Sequence, residues 1–112
     1  MRIPSLTKGI SMATLLVFEF PSDGPFGADA VAAYRGLAEH ISQENGLIWK
    51  VWTEDADRKV AGGVYLFDNA ADAARYTVFH TERLAGFGIT QIDARSFDVN
   101  EGLSAITRGF AS

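Results

Sequence analysis

Cysteine is absent from the 112 residues, and histidine occurs only twice, as His40 and His80. The missing thiols exclude disulfide bonds, thiolate metal sites and a cysteine nucleophile, and they are compatible with a reducing compartment, so we expect a cytoplasmic protein. A zinc site would need carboxylate-rich ligation, and no spacing of histidines and acidic residues is typical of one. We therefore predict that the protein has no metal site.

Clustered positive charge and long apolar runs are also absent. Ten basic residues stand against fourteen acidic ones, which gives a net charge of -4 and a pI near 5.0. Without a Lys/Arg cluster to neutralise phosphates, a nucleic-acid partner is not expected. No apolar stretch is long enough for a membrane span, so we predict no membrane association. Residues 1–11, with scattered charges and a proline, are predicted to be a disordered tail before a single domain at 12–112.

Alternation of apolar residues predicts strands, and helical spacing predicts amphipathic helices. The predicted strands are 13–20, 47–54, 60–67 and 89–99, and the predicted helices are 28–44 and about 69–85. A short helix or an arm follows the last strand. The apolar stripe of the first helix is Val31, Tyr34, Leu37, Ala38 and Ile41. Gly62-Gly63 inside the third strand indicates a bulge, or a close approach of a ligand or another backbone.

The element order βαββαβ is that of the α+β ferredoxin-like fold, a four-stranded antiparallel sheet with two helices on one face. Large apolar residues nevertheless occur on both faces of the first three strands, and a second copy of the chain would cover the face without helices. Trp49 and Trp52 are three residues apart in one strand, so they point to opposite faces. One is expected under the helices and the other at a dimer interface, and the spacing does not tell which.

His80 is the strongest candidate for chemistry, because it lies in the middle of an apolar helical stripe. An imidazole there could accept a proton near neutral pH, or it could be a core histidine bonded to a backbone carbonyl. Arg83, nearly one turn further on, could stabilise an anion or form an exposed salt bridge. Lys50 and Glu54 share the face of Trp52, and a solvated or interface ion pair is our interpretation of both.

Aromatic side chains are the candidates for contact with a substrate, since a ring-lined pocket with a few polar groups suits a small hydrophobic molecule. The alternative is that these rings belong to an ordinary core. The predicted substrate-binding residues are Phe26, Trp49, Trp52, Tyr65 and Tyr76.

Five short segments appear in order along the chain: GPFG from Gly24, GLIWKVWTE from Gly46, AGGVYLF from Ala61, HTERL from His80 and FDVNE from Phe97. In their residues and spacing they resemble the YdhR family of monooxygenases, over residues 12 to about 106. The resemblance implies a dimeric α/β barrel, in which two ferredoxin-like sheets pack face to face. This is the arrangement that the uncovered sheet face independently favours.

The resemblance also implies a function: oxygenation of a small phenol-like or quinol-like aromatic compound without flavin, haem or metal. In that hypothesis His80 is the base, Arg83 and a Trp or Tyr donor stabilise the phenolate, and the aromatic walls exclude water. Two alternatives stay open. One is a non-catalytic homodimer that binds small hydrophobic molecules, and the other is a haem-binding protein with His80 as the axial ligand.

Overall fold

The computed structural model describes residues 12–109, so the predicted tail at 1–11 lies outside the described residues. The order of elements is β1 (Thr14–Pro21), α1 (Gly27–Ile41), β2 (Leu47–Asp55), β3 (Val60–Phe67), α2 (Ala70–Gly86), β4 (Asp93–Asp98) and α3 (Glu101–Ile106). The four strands form one antiparallel sheet in the order β2-β3-β1-β4. The predicted α+β ferredoxin-like fold is confirmed.

The last strand is shorter than predicted, because it begins at Asp93 rather than at Ile89. Ile89 instead follows α2, and its N–H donates to the carbonyl of Leu84 at 3.0 Å after Gly88 turns the chain with a φ of 87°. Ile89 and Ile92 pack against the core without pairing in the sheet. The spacing of these two isoleucines indicated a strand, but in the structure their side chains pack against the core beside the end of α2.

The core lies between the helices and one face of the sheet. Its central members are aromatic, with Tyr65 and Phe67 from β3 packed against Tyr76 of α2. Side chains of β1 on the same face, Leu16 and Phe18, complete the layer under α2. Asn69 caps α2 by accepting from the N–H of Asp72 at 2.7 Å. The predicted second helix is thus present, and its position fixes which residues of α2 face the sheet.

The first helix packs less closely than its sequence predicted. Ile41 is buried, but Val31 is 56% exposed and Tyr34 is 36% exposed. β2 is an edge strand, and Tyr34 rests on it through a stacked contact with Trp52 at a centroid distance of 6.4 Å. The first half of the predicted apolar stripe therefore covers an edge rather than filling the core, and it leaves a cleft beside β2.

The register of the sheet confirms that the two tryptophans face opposite ways. Trp49 pairs with Leu66 on the face without α1 and α2, whereas Trp52 pairs with Gly63 on the helix face. The irregularity in the hairpin lies in β2, between Leu47 and Trp49, and not at the glycine pair, where the predicted bulge is absent. The other expectation for the glycines, a close approach of another backbone, is confirmed at Gly62, since a Cβ there would lie 2.8 Å from the carbonyl carbon of Phe18.

Among residues 12–109, none of the helices has the length and apolar character needed to cross a bilayer.

Candidate functional site

The candidate site is built on the helix face of the sheet, where β1, β3 and α2 bring four rings together. The imidazole of His80 stacks on Tyr76 at 5.0 Å, and its centroid lies 5.3 Å from that of Phe18 and 6.1 Å from that of Tyr65. Tyr76 and His80 meet because they are four residues apart on α2, which places them on one side of the helix. His80 is only 2% exposed, so it belongs to the inner wall of the site.

Arg83 holds His80 in one protonation form. The Nε and Nη2 atoms of Arg83 lie 3.2 and 2.9 Å from Nδ1 of His80. A guanidinium only donates, so Nδ1 is the acceptor and the neutral ring carries its proton on Nε2. Burial, followed by the positive charges of Lys50 and Arg83, lowers the pKa of His80 to about 3. The imidazole is therefore neutral and weakly basic, and this environment does not favour its predicted role as the base.

A chain of hydroxyl groups continues from Arg83 into the core. Nη2 of Arg83 donates to the Tyr76 hydroxyl at 3.3 Å, and that hydroxyl donates to the Tyr65 hydroxyl at 3.4 Å. Burial raises the pKa of both phenols, so both keep their protons at neutral pH. These partners satisfy two phenols in an otherwise apolar layer.

Lys50 is the unexpected member of the site. Its Nζ lies 3.5 Å from the ring centroid of Trp52 and 4.5 Å from that of Tyr65, so two aromatic faces hold the amine. Within residues 12–109 Lys50 has no ion pair, and Glu54 instead accepts from the N–H of Gly27 at 2.9 Å. Burial, and next the charge of Arg83, lowers the pKa of Lys50 to about 7.

Gly63 makes the position of Lys50 possible. A Cβ at Gly63 would lie 2.7 Å from Cε of Lys50, closer than the two carbons can approach, so only glycine leaves the space that the lysine stem occupies. The Gly62-Gly63 pair was therefore the sequence feature that could have indicated the buried position of Lys50. Interpreting the pair in this way requires the hairpin register. The register sets Gly63 opposite Trp52 and two residues from Tyr65, the partner of Lys50.

A cleft of about 210 Å³ opens beside Lys50, between the end of α1 and the edge strand. It is lined by Ala38, Ile41 and Ser42 on the helix side and by residues 47–50 and Trp52 on the strand side. Pockets for drug-sized ligands have roughly 300–1,000 Å³, so this cleft suits a smaller molecule. Lys50 lines the cleft, whereas His80 does not.

The structure brings most of the predicted site residues together. His80, Arg83, Tyr65 and Tyr76 form one bonded cluster, and Trp52 joins it through Lys50. Two predicted residues lie elsewhere. Phe26 is the N-cap of α1 and makes none of the ring contacts of the cluster. Trp49 borders the cleft as part of the edge strand, but its register with Leu66 directs its ring to the opposite face of the sheet.

Residues 12–109 contain no group of three or more histidine, aspartate or glutamate side chains that could hold a metal ion. The site instead combines two basic side chains, a neutral imidazole and phenol donors with aromatic walls. Such a set of groups is suited to a small, electron-rich or anionic aromatic ligand, because cations and rings both attract it.

The fold and the site together define a ferredoxin-like α+β domain with an aromatic cluster and two basic side chains between its sheet and α2, beside a cleft at the edge strand. Comparison with known families places the chain more closely. It belongs to the YdhR family, because the family model described as "Putative mono-oxygenase ydhR" matches residues 15–110. No curated protein matches the sequence significantly.

Proposed function

We propose that the protein is a monooxygenase that binds a small phenol-like aromatic compound beside Lys50 and oxygenates it with O₂ as the only other reactant. The observation that carries the proposal is the pairing of Lys50 and Arg83 around one aromatic cluster, with neither cation bonded to a carboxylate in the described part of the chain. Two half-buried basic side chains without a counter-charge favour an anion beside them, and a phenolate is the anion that fits ring-lined walls.

In the proposed reaction the substrate supplies all the electrons. The phenol loses its proton, and the electron-rich phenolate gives one electron to O₂. The resulting radicals combine through a new C–O bond, and protonation yields a hydroperoxide. Loss of water then turns the oxygenated C–H carbon into a carbonyl, so the product is a quinone. One atom of O₂ enters the product and the other leaves as water.

The groups of the site support each requirement of this chemistry. The positive charge of Arg83, which acts on Lys50 in the cleft wall, also stabilises the phenolate and so lowers the barrier to its formation. Trp52, which lines the cleft, offers a flat face for the substrate ring. His80 fixes Arg83 through two short contacts, and that bonding orients the guanidinium before substrate arrives.

The test is oxygen uptake by the purified, metal-stripped protein with a panel of naphthols, anthrones and hydroquinones, measured against autoxidation without protein. Dioxygen labelled with the heavy isotope should deliver one labelled atom to the quinone. Arg83→Met should lose most of the uptake, because the phenolate then lacks its guanidinium. Arg35→Met is the matched control, since Arg35 lies exposed on α1 away from the cluster.

Uptake with hydrogen peroxide as the product and no label in the quinone would identify an oxidase instead. Tight binding of these compounds without uptake would favour the non-catalytic binding protein. Uptake that is equal in Arg83→Met and in the wild type would contradict the role of the cluster.

We also propose that the protein acts as a homodimer through the sheet face that α1 and α2 leave open. Trp49, Val51 and Phe97 lie on this face and are 37%, 52% and 48% exposed. Large exposed apolar side chains on one sheet face favour burial against a second copy, at about 25 cal/mol per Å². Two antiparallel sheets packed in this way would give the dimeric α/β barrel that the family resemblance implies.

Sedimentation at micromolar concentration tests the dimer. Val51→Asp would place a charge within the paired faces and should give monomers, because an unpaired buried carboxylate is costly. Val78→Asp is the matched control, since Val78 is 61% exposed on α2. A monomeric wild type, or a Val51→Asp protein that remains dimeric, would contradict the proposal.

A further inference from the structure

We propose that Lys50, rather than His80, removes the proton from the bound phenol. This inference deepens the proposed function and rests on it. It begins from access: Lys50 lines the cleft, whereas His80 is 2% exposed behind the rings of Phe18 and Tyr65. A proton acceptor must come within hydrogen-bonding reach of the group that it deprotonates. A molecule in the cleft meets the amine of Lys50 before it meets the imidazole.

The hydrogen bonds of His80 give a second reason. Its unprotonated nitrogen, Nδ1, already accepts from Arg83. Proton transfer to Nδ1 would place a hydrogen against the guanidinium and break those bonds, while Nε2 already carries the proton of the neutral ring. His80 therefore acts as a positioning residue that holds Arg83. The amine of Lys50 is held only by aromatic faces, and an uncharged amine has a lone pair free to accept.

The charges that face Lys50 decide how basic it is. α2 presents the cation Arg83 and the neutral His80, and β3 presents the protonated phenol of Tyr65. On its own strand, the nearest carboxylate is Glu54, which bonds to the start of α1. The part of α1 that lines the cleft offers only uncharged groups, those of Ala38, Ile41 and Ser42. No carboxylate in this set favours the charged amine.

The two candidate bases therefore differ widely in strength. The pKa of Lys50 is lowered to about 7, from an ordinary 10.5, and that of His80 to about 3, from an ordinary 6.5. Lys50 is thus about 10⁴-fold the stronger proton acceptor, and near neutral pH about half of its amines are free of their own proton. Proton uptake by Lys50 also creates a second cation next to the phenolate.

The test follows the lysine amines by NMR in protein labelled with carbon and nitrogen isotopes only in lysine. The chain has three lysines, and Lys59, whose side chain is 72% exposed, is the internal control. The Cε and Nζ signals of Lys50 should titrate near pH 7. Saturating 1-naphthol, added without oxygen at about pH 8, should then move the Lys50 signals to their protonated position and leave Lys59 unchanged.

Lys50 signals that titrate near 10.5, or that keep their uncharged position in saturating naphthol, would overturn the inference. The proposed function fails differently: naphthol protonates Lys50, but the oxygen panel gives no labelled product. The two failures are therefore distinguishable.

Variants supply a kinetic check. Lys50→Arg keeps a charge that cannot be lost and should reduce kcat at least 100-fold, with KM changed far less. Lys50→Ala should recover activity when a primary alkylamine is added, in proportion to the uncharged amine. Lys59→Met should behave as wild type. Full activity in Lys50→Arg would overturn the inference, because an arginine does not deprotonate.

Discussion

The adjacent glycines of β3 give the sharpest test of the structure, because an alanine at each would meet a different kind of obstacle. At Gly62 the new Cβ would lie 2.8 Å from the carbonyl carbon of Phe18 and nearer still to its oxygen. At Gly63 the nearest atom is Cε of Lys50, at 2.7 Å. Neither glycine has a positive φ, so backbone strain is not a factor. Gly62→Ala should damage the fold, and Gly63→Ala should damage only the site.

The cost at Gly62 follows from the distance between two backbones. Carbon atoms in contact ordinarily lie about 3.5–4 Å apart, so β1 and β3 would have to separate by roughly 1 Å. Such a shift breaks ladder hydrogen bonds worth about 1 kcal/mol each. Overpacking adds about 1–3 kcal/mol. We expect Gly62→Ala to reduce the free energy of unfolding by about 3 kcal/mol or more, a large share of the roughly 5–15 kcal/mol of a small domain.

The cost at Gly63 is smaller because the obstacle is a flexible side chain. Lys50 swings away and loses its contacts with two rings, worth about 0.5–2 kcal/mol. Replacing glycine by alanine within a strand returns about 0.5–1 kcal/mol. The free energy of unfolding should therefore change by no more than about 1.5 kcal/mol. With its amine back in water, Lys50 should regain a pKa near the ordinary 10.5.

Urea unfolding followed by far-ultraviolet circular dichroism measures the two stabilities, and the lysine NMR titration measures the pKa of Lys50. A Gly62→Ala protein within about 1 kcal/mol of the wild type would refute the close approach of β1 and β3. A Gly63→Ala protein that folds but leaves the Lys50 titration unchanged would refute the packing of Lys50 over Gly63.

Three further predictions concern α2. The pKa of His80 lies at about 3 in the fold and 6.5 outside it, so the unfolded chain binds more protons between these values and stability should fall as pH drops through this window. His80→Gln should flatten the profile from urea unfolding at several pH values, and an unchanged slope would argue against a buried neutral imidazole. Asn69→Ala should cost about 1 kcal/mol in the same assay, and Asn69→Ser, which keeps the capping oxygen, should recover most of it; equal losses would contradict the cap. Haemin should give no Soret band of a stable complex, because His80 is 2% exposed and bonded to Arg83, and a band lost in His80→Ala would restore the haem-binding alternative.

The topology could be predicted because its signals are local. Alternating apolar residues and glycine-rich or polar turns determined which segments are strands, and their order with the helices left the ferredoxin-like arrangement as the natural one. The start of β4 was wrong because Ile89 and Ile92 have the spacing of a strand while serving the end of a helix. Local pattern does not separate an apolar residue that pairs in a sheet from one that packs beside it.

The site was only partly predictable, because its chemistry depends on neighbours that are distant in sequence. The helical stripe correctly brought His80, Arg83 and Tyr76 together, since they share one helix. Lys50 was interpreted, together with Glu54, as a solvated or interface ion pair, because charged side chains are seldom buried. Its actual environment depends on a missing side chain at Gly63, on the neighbouring strand. The relation between Lys50 and Gly63 follows only from the β2–β3 register. That register depends on the number of residues in the turn, which here are residues 56–59.

The two tryptophans of β2 follow from the position of this strand at the edge of the sheet. On the helix face β2 carries Lys50 and Trp52, and on the other face it carries Trp49 and Val51. A strand paired on only one side gains its remaining support from side chains, and a large ring on each face provides it from both directions. A second copy of the chain on the face of Trp49 would therefore stiffen the strand that holds Lys50. The site and the proposed dimer interface would then share β2. The Val51→Asp substitution should therefore change the titration of Lys50 as well as prevent dimer formation.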